Sequence, residues 1–424
     1  MSNPAVESAT PIRPDRIGVV VLYLAMVVNG MGQSLVFAII PMIGRALYLQ
    51  DLVVDLPALG IHWQPRELAI TSLSAMTAFI ASISSAHWGR VSDARGRRFV
   101  IMVGLVGYGI CAFLFSGTAL LGLLGWLSGV ALYFGLMLMR IIHAAVSTAS
   151  YPAASAYVAD ITPAHQRTRG IGRLNAAVQV GVMAGPVLAW FAGISLLAPM
   201  CLHALVMFAM AVLVWRRLPE SQLAARSRVA RPKLRYFDPR YARLTIIGLV
   251  TYMCLATMQQ TLGFFVQDML QLDPASSAQH FALAMMCSSI AMFLMQTVAA
   301  QRFAWGPMMM LKVGLPIALV AFVVVAFATG MTQIYVAMTL FGVGMGFALP
   351  GYSAGASLSV TAAEQGGVAG ISASVASFGY LFGPLFGGLL YSWHHTLPYW
   401  GAALALLVLS LFVWRQREPE HAVE

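Results

Sequence analysis

Twelve times along the chain an apolar run of roughly 20 residues ends at a short polar break and then resumes, and each run is long enough for a helix to cross a bilayer. The pattern predicts spans at about 17–43, 67–88, 99–118, 131–159, 172–194, 197–215, 243–270, 281–301, 308–329, 332–358, 367–391 and 397–414. The third and fourth are the least distinct, because 120–130 is also apolar. The gap 44–66 is long and is expected to hold a short interfacial helix. The gap 216–242 is the one extended basic linker; it separates a six-span bundle in 1–215 from a second in 243–424. The expected fold is an all-α polytopic membrane protein.

Composition removes the main alternative. Hydrophobic residues make up 59% of the 424 and charged residues only 9%, where a soluble domain carries about 25%. So few charges cannot keep a globule of this size dispersed in water, which excludes a water-soluble enzyme. The net charge of +10 does not point to nucleic acid, since the basic residues fall in the gaps between apolar runs. They act as topology signals. With both termini cytoplasmic, all 25 basic residues except Arg45, Arg66 and Arg140 fall on the inner side or in inner loops. The polar segment up to Arg16 precedes an apolar run too long for a cleavable signal peptide, so that run is expected to stay as the first span. Cys111, Cys201, Cys254 and Cys287 sit singly inside apolar stretches and suggest neither a disulfide framework nor a metal site.

The two halves repeat. At a constant offset of 198 residues Pro152 meets Pro350, Gly181 meets Gly379, and Gly185-Pro186 meets Gly383-Pro384. Two parallel six-span repeats place a binding site at their interface near the midplane, which is transporter architecture.

Between spans 2 and 3 lies Gly89-Arg-Val-Ser-Asp93-Ala-Arg-Gly96-Arg97-Arg98. This segment resembles the signature loop of the major facilitator superfamily, with Ala94 where a basic residue is usual. In physical terms the loop is a latch. Gly89 is expected to allow close approach of helix backbones, and Gly96 a tight turn. The resemblance implies that Asp93 meets the positive N-terminal end of the eleventh span, around Gly366 and Gly367, and that Arg97 pairs with Asp160. Such contacts would hold the two halves together on the cytoplasmic side.

Arg140 is the one basic residue deep in a span, where an unpaired charge costs several kcal/mol and therefore points to function. It resembles the start of the fourth-span signature of the proton antiporters of that superfamily, with His143 in place of the usual Gln. Arg140, His143 and Ser147 share one helix face. In the fifth span Gly181-Val-Met-Ala-Gly185-Pro186 resembles the superfamily's antiporter motif, but Ala189-Trp190 replaces its closing double glycine. Small residues there permit close packing and proline bends the helix.

The same resemblance implies substrate contacts on spans 1, 4, 7 and 10. Candidates are Asn29 and Gln33, Ser147, then Tyr252, Gln259, Gln260 and Phe264, and finally Phe341 and Met345. An apolar, aromatic, Met-containing cavity with a few amides suits amphipathic organic solutes. With Arg140 present and no acid near mid-membrane, the solute is expected to be neutral, zwitterionic or anionic; a siderophore-like molecule fits. No nucleotide-binding loop is present, so the proton gradient is the expected energy source, with no cofactor. The candidates for coupling are Glu67, Asp268, Arg140 and His143. The resulting expectation is a monomeric alternating-access exporter, exchanging protons for drugs or amphipathic metabolites in a bacterial inner membrane. A proton-coupled importer on the same fold is the first alternative, and a non-transporting membrane receptor or scaffold the second.

Overall fold

The computed structural model describes residues 16–56, 61–163, 166–221, 235–236, 238–302, 305–361 and 364–416. Its long helices are α1 (Arg16–Ala46), α2 (Glu67–Arg95), α3 (Arg97–Leu123), α4 (Gly129–Ser147), α5 (Ser150–Ile161), α6 (Arg167–Ala189) and α7 (Ala198–Arg217). The second half comprises α8 (Ala242–Leu270), α9 (Pro274–Arg302), α10 (Pro307–Ala326), α11 (Met331–Leu358), α12 (Gln365–Trp393) and α13 (Leu397–Trp414). Among the described residues twelve apolar helical spans are long enough to cross a membrane, α4 and α5 together forming the fourth.

The spans form where the sequence places them, with two local differences. The fourth is interrupted at Thr148 and Ala149, four and three residues before Pro152. A proline removes the hydrogen bond to the carbonyl four residues back and crowds it, so the interruption falls where the ring favours it, although α11 runs unbroken past the matching Pro350. In the gap 44–66 no interfacial helix of any length forms among the described residues. A single 3-10 turn, Leu49–Asp51, is followed by an antiparallel hairpin of β1 (Val54–Leu56) and β2 (Ile61–Trp63). This hairpin is the one departure from an all-α chain among the described residues. Most of the basic linker lies outside the described residues.

Helix pairing repeats between the halves. In the first, α1 packs on α6, α3 on α7 and on α4, and α2 on α4; in the second, α8 packs on α12, α10 on α13 and on α11, and α9 on α11. The glycines at the constant offset explain this. A β-carbon on Gly181 would overlap the Val27 carbonyl oxygen of α1, and one on Gly379 would overlap Tyr252 of α8. Gly185 and Gly383 face the Met31 and Met253 carbonyls in the same way. Without side chains at these points the helix backbones touch, and the two pairs become the closely packed spines of their halves. The halves meet along α2 and α12, α6 and α9, and α1 with α8 and α9.

Candidate functional site

A cavity of about 1020 Å³ lies between the halves. Its walls come from α1, α2, α3, α4, α5 and α6 on one side and α8 and α12 on the other. Asn29 and Gln33, one helical turn apart, hydrogen-bond at 3.3 Å, and both line it. So do Arg140, His143 and Ser147, whose shared face therefore points inward, and Gln259. Phe37 of α1 and Tyr380 of α12 stack across the halves with ring centroids 5.6 Å apart. No Asp or Glu lines the cavity among the described residues.

Arg140 is almost completely buried, and its Nε and Nη1 have no hydrogen-bond partner; the guanidinium carbon lies 5.9 Å from the Phe115 ring centroid. Both ring nitrogens of buried His143 are likewise unpartnered. Tyr108 holds that imidazole edge-on at 4.4 Å and stands edge-on to His203 at 4.8 Å. His203 bonds the Val28 carbonyl at 2.9 Å. Gly32 on α1 leaves the space that the Tyr108 hydroxyl and the His203 ring fill.

The cavity is closed on the side opposite the start of α1, called here the far side. Arg45 pairs there with Asp268 through both terminal guanidinium nitrogens, Nη2 lying 2.8 Å from Oδ2. Arg45 also pairs with Glu67 at 3.2 Å and lies 4.8 Å above the Phe264 ring. The Tyr391 hydroxyl donates to Asp268 at 2.6 Å. This cluster joins α1 and α2 of one half to α8 and α12 of the other. Two further tethers accompany it: Arg66 donates to the Ser392 carbonyl at 2.9 Å, and Gln279 to the Trp190 carbonyl at 3.0 Å.

On the near side the cavity wall continues through Ser85, Ala86, Gly370 and Ser374. The ion pairs described there each stay within one half. Arg97 bridges Asp93 at 2.5 Å and Asp160 at 3.2 Å, and Arg240 bridges Asp238 at 2.9 Å and Glu364 at 3.0 Å. The Arg98 backbone N–H donates to Glu220 at 3.0 Å. Glu364 lies just outside the α12 span, and its hydrogen bonds from Arg240 hold its carboxyl down to about 2. The structure is thus open on the near side and shut on the far side.

Several expectations need correction. Asp93 pairs with Arg97 rather than with the start of α12, and β-carbons at Gly366 and Gly370 would meet nothing within 4 Å. The contact expected between this loop and the start of α12 is therefore not made in this structure. Gly89 also faces open space, so no close helix approach depends on it in this state, whereas Gly96 does take the left-handed turn, with φ of 104°. Five cavity candidates are absent from its wall. Tyr252 packs between Tyr352 and Tyr380, and Gln260 is fully buried with both amide atoms unpartnered. Phe264 lies under Arg45, while Phe341 packs edge-on against Phe322 and Met345 is enclosed in the core. Packing between α10 and α11 turns these last two away from the interface, and α12 takes the place expected of α11. Glu67 and Asp268 are brought together, although not in the cavity. Tyr108, His203, Phe37, Tyr380 and Tyr391 join the site although no motif in the sequence marks them. Arg45 does carry a signal, as an exception to the inner-side bias of the basic residues.

The family model of the Major Facilitator Superfamily matches residues 22–375 and 305–424. The chain belongs to this superfamily of membrane transporters. Among similar sequences, the class C tetracycline resistance protein of Escherichia coli is 29% identical over 80% of this chain and 85% of its own. Multidrug resistance protein 1 of Bacillus subtilis is 23% identical over 96% of this chain and 97% of its own. Among solved structures, that of the nucleoside transporter NupG superposes with a TM-score of 0.74 over 94% of this chain and 99% of its own, at 13% identity.

Proposed function

We propose that the protein exports amphipathic organic solutes, neutral, zwitterionic or anionic, across a bacterial inner membrane in exchange for protons. The observation that carries this is the cavity, shut on the far side by the Arg45 cluster and open on the side that receives the basic loops. By the positive-inside bias that open side is the cytoplasm, where both ends of the chain then lie. Resistance to drugs in the names of both sequence relatives supports the outward direction. The aromatic and small polar wall suits solutes with an apolar body.

Exchange follows from the gate. A proton taken by Asp268 or Glu67 from the far side weakens the hold on Arg45, the gate parts, and the solute leaves; His143 in the cavity is the third proton site. Rocking of the halves then exposes the cavity to the far side while Asp93 closes on the start of α12. Proteoliposomes loaded with a fluorescent drug test this reading. Drug flux should accelerate when a proton gradient is imposed against it and should acidify the compartment that the drug leaves. Flux independent of the gradient would remove the coupling, and accumulation by intact expressing cells would reverse the direction.

A further inference from the structure

We propose that the cavity takes its solute by an anionic head group, a carboxylate or sulfonate, held by Arg140 with His143 beside it, while the aromatic body lies against Phe37 and Tyr380. This rests on the transport reading above and narrows its substrate class.

Charge on the cavity wall is unbalanced. Arg140 is only 1% exposed, its Nε and Nη1 have no partner, and no carboxylate among the described residues lines the cavity to neutralise it. The acids of the far-side cluster are already engaged by Arg45. A buried cation held without a counter-ion is costly, and an incoming anion removes that cost. Guanidinium geometry specifies the anion further. The planar group presents paired N–H donors that match two oxygens of a carboxylate or sulfonate.

His143 stands three residues on along the same face, with both ring nitrogens unpartnered and its ring position set by Tyr108. It adds a donor to the same head group. Elsewhere on the cavity wall the Phe37–Tyr380 stack supplies an aromatic surface contributed by both halves. Gln259 lines the cavity with its Oε1 unpartnered, an acceptor for a donor carried on the solute body. The head group thus contacts the first half and the body contacts both, through Phe37 on α1 and Tyr380 and Gln259 on α12 and α8, so a solute occupying both sites ties its binding to their relative position.

Isothermal titration of the purified full-length protein with 2-naphthoate, 2-naphthamide and N,N,N-trimethyl-2-naphthylammonium tests this, because the three share one aromatic body. The wild-type protein should bind the acid at least about tenfold tighter than the amide or the ammonium compound. Arg140→Gln should abolish that preference by weakening the acid alone, with amide affinity within about twofold of wild type. Arg140→Lys should retain part of the preference, since it keeps the charge but loses the fork. His143→Gln should weaken the acid by a few-fold and leave the amide unchanged. Equal loss of acid and amide in the Arg140 and His143 variants, or tighter binding of the ammonium compound by the wild type, overturns the proposal. Should Arg140→Gln not fold, Arg140→Lys and His143→Gln decide by the same criterion. The titration uses no gradient, so a lost acid preference leaves proton-driven export standing. A kept preference without gradient-driven flux sinks only the transport reading.

Discussion

Arg45 at the end of α1 and Asp268 near the end of α8 lie 223 residues apart in the chain and form a two-pronged ion pair that joins the two halves. Aromatic rings of Phe264 and Tyr391 flank the guanidinium, which limits its access to water. A fork-on-carboxylate pair, partly shielded and shared with Glu67, holds better than a single exposed salt bridge.

Asp268→Asn should therefore loosen the far side. The expected change is about 1 kcal/mol or somewhat more in the balance between the two states, roughly fivefold in their ratio. Spin labels at positions 51 and 271, one in each half, read it as a larger population of long distances. Arg45→Ala combined with Asp268→Asn should shift the distances little beyond either change alone, because both remove the same pair. An unchanged distance distribution in Asp268→Asn would show that the pair does not hold the gate.

The near-side loop separates state from stability. Arg97 is largely buried and ties Ser92 and Asp160 together, whereas Asp93 is mostly exposed. Asp160→Ala should lower thermal stability by about 1–2 kcal/mol, because it leaves the shielded Nε of Arg97 without this acceptor. Asp93→Asn should leave the melting temperature within a degree or so while lowering transport by about tenfold or more, since its latch partner is met only after the near side closes. Melting curves and vesicle flux on the two variants check the contrast.

Glycine substitutions should sort by what a β-carbon meets. At Gly181 it strikes the backbone of α1, which can yield only by moving the helix. Gly181→Ala should cost about 1–3 kcal/mol of overpacking, offset in part by the roughly 1 kcal/mol that alanine gains as a helix former. At Gly172 nothing lies within 4 Å, and Gly172→Ala should be neutral or slightly stabilising. Thermal unfolding in detergent reads both.

Acid should spare the Arg240–Glu364 tie until the pH is very low. The Glu364 carboxyl is held down to about 2 by Arg240, so any stability it adds is fully present above the ordinary glutamate range and is lost as pH falls toward 2. The difference in melting temperature between wild type and Glu364→Gln should stay constant from pH 8 to about 5 and shrink only below about 4.5. A difference that vanishes between pH 7 and 5 would mean that the pair does not form.

How much of this was legible in the chain depended on whether the signal was local. A membrane span is a property of some 20 consecutive side chains, because each run answers to the surrounding lipid on its own. The twelve spans, the place of the cavity between two repeats, and the inward face of Arg140, His143 and Ser147 could thus be read directly. So could the spines at Gly181 and Gly383, since a missing side chain leaves its mark in the sequence.

Which way each helix turned was another matter. Tyr252 and Gln259 are one heptad apart, yet only Gln259 reaches the cavity, because Gly379 draws α12 against Tyr252. Phe341 and Met345 had the composition of a binding wall and became core when α11 rotated onto α10. The sequence alone determined the number and length of the spans and their repeat, through hydrophobicity and the places where a side chain is absent. Tertiary structure alone decided that Arg45 meets Asp268, that the far side is shut, and that Phe37 of one half stacks on Tyr380 of the other. Those outcomes depend on the rotation and approach of helices hundreds of residues apart, and no local pattern encodes them.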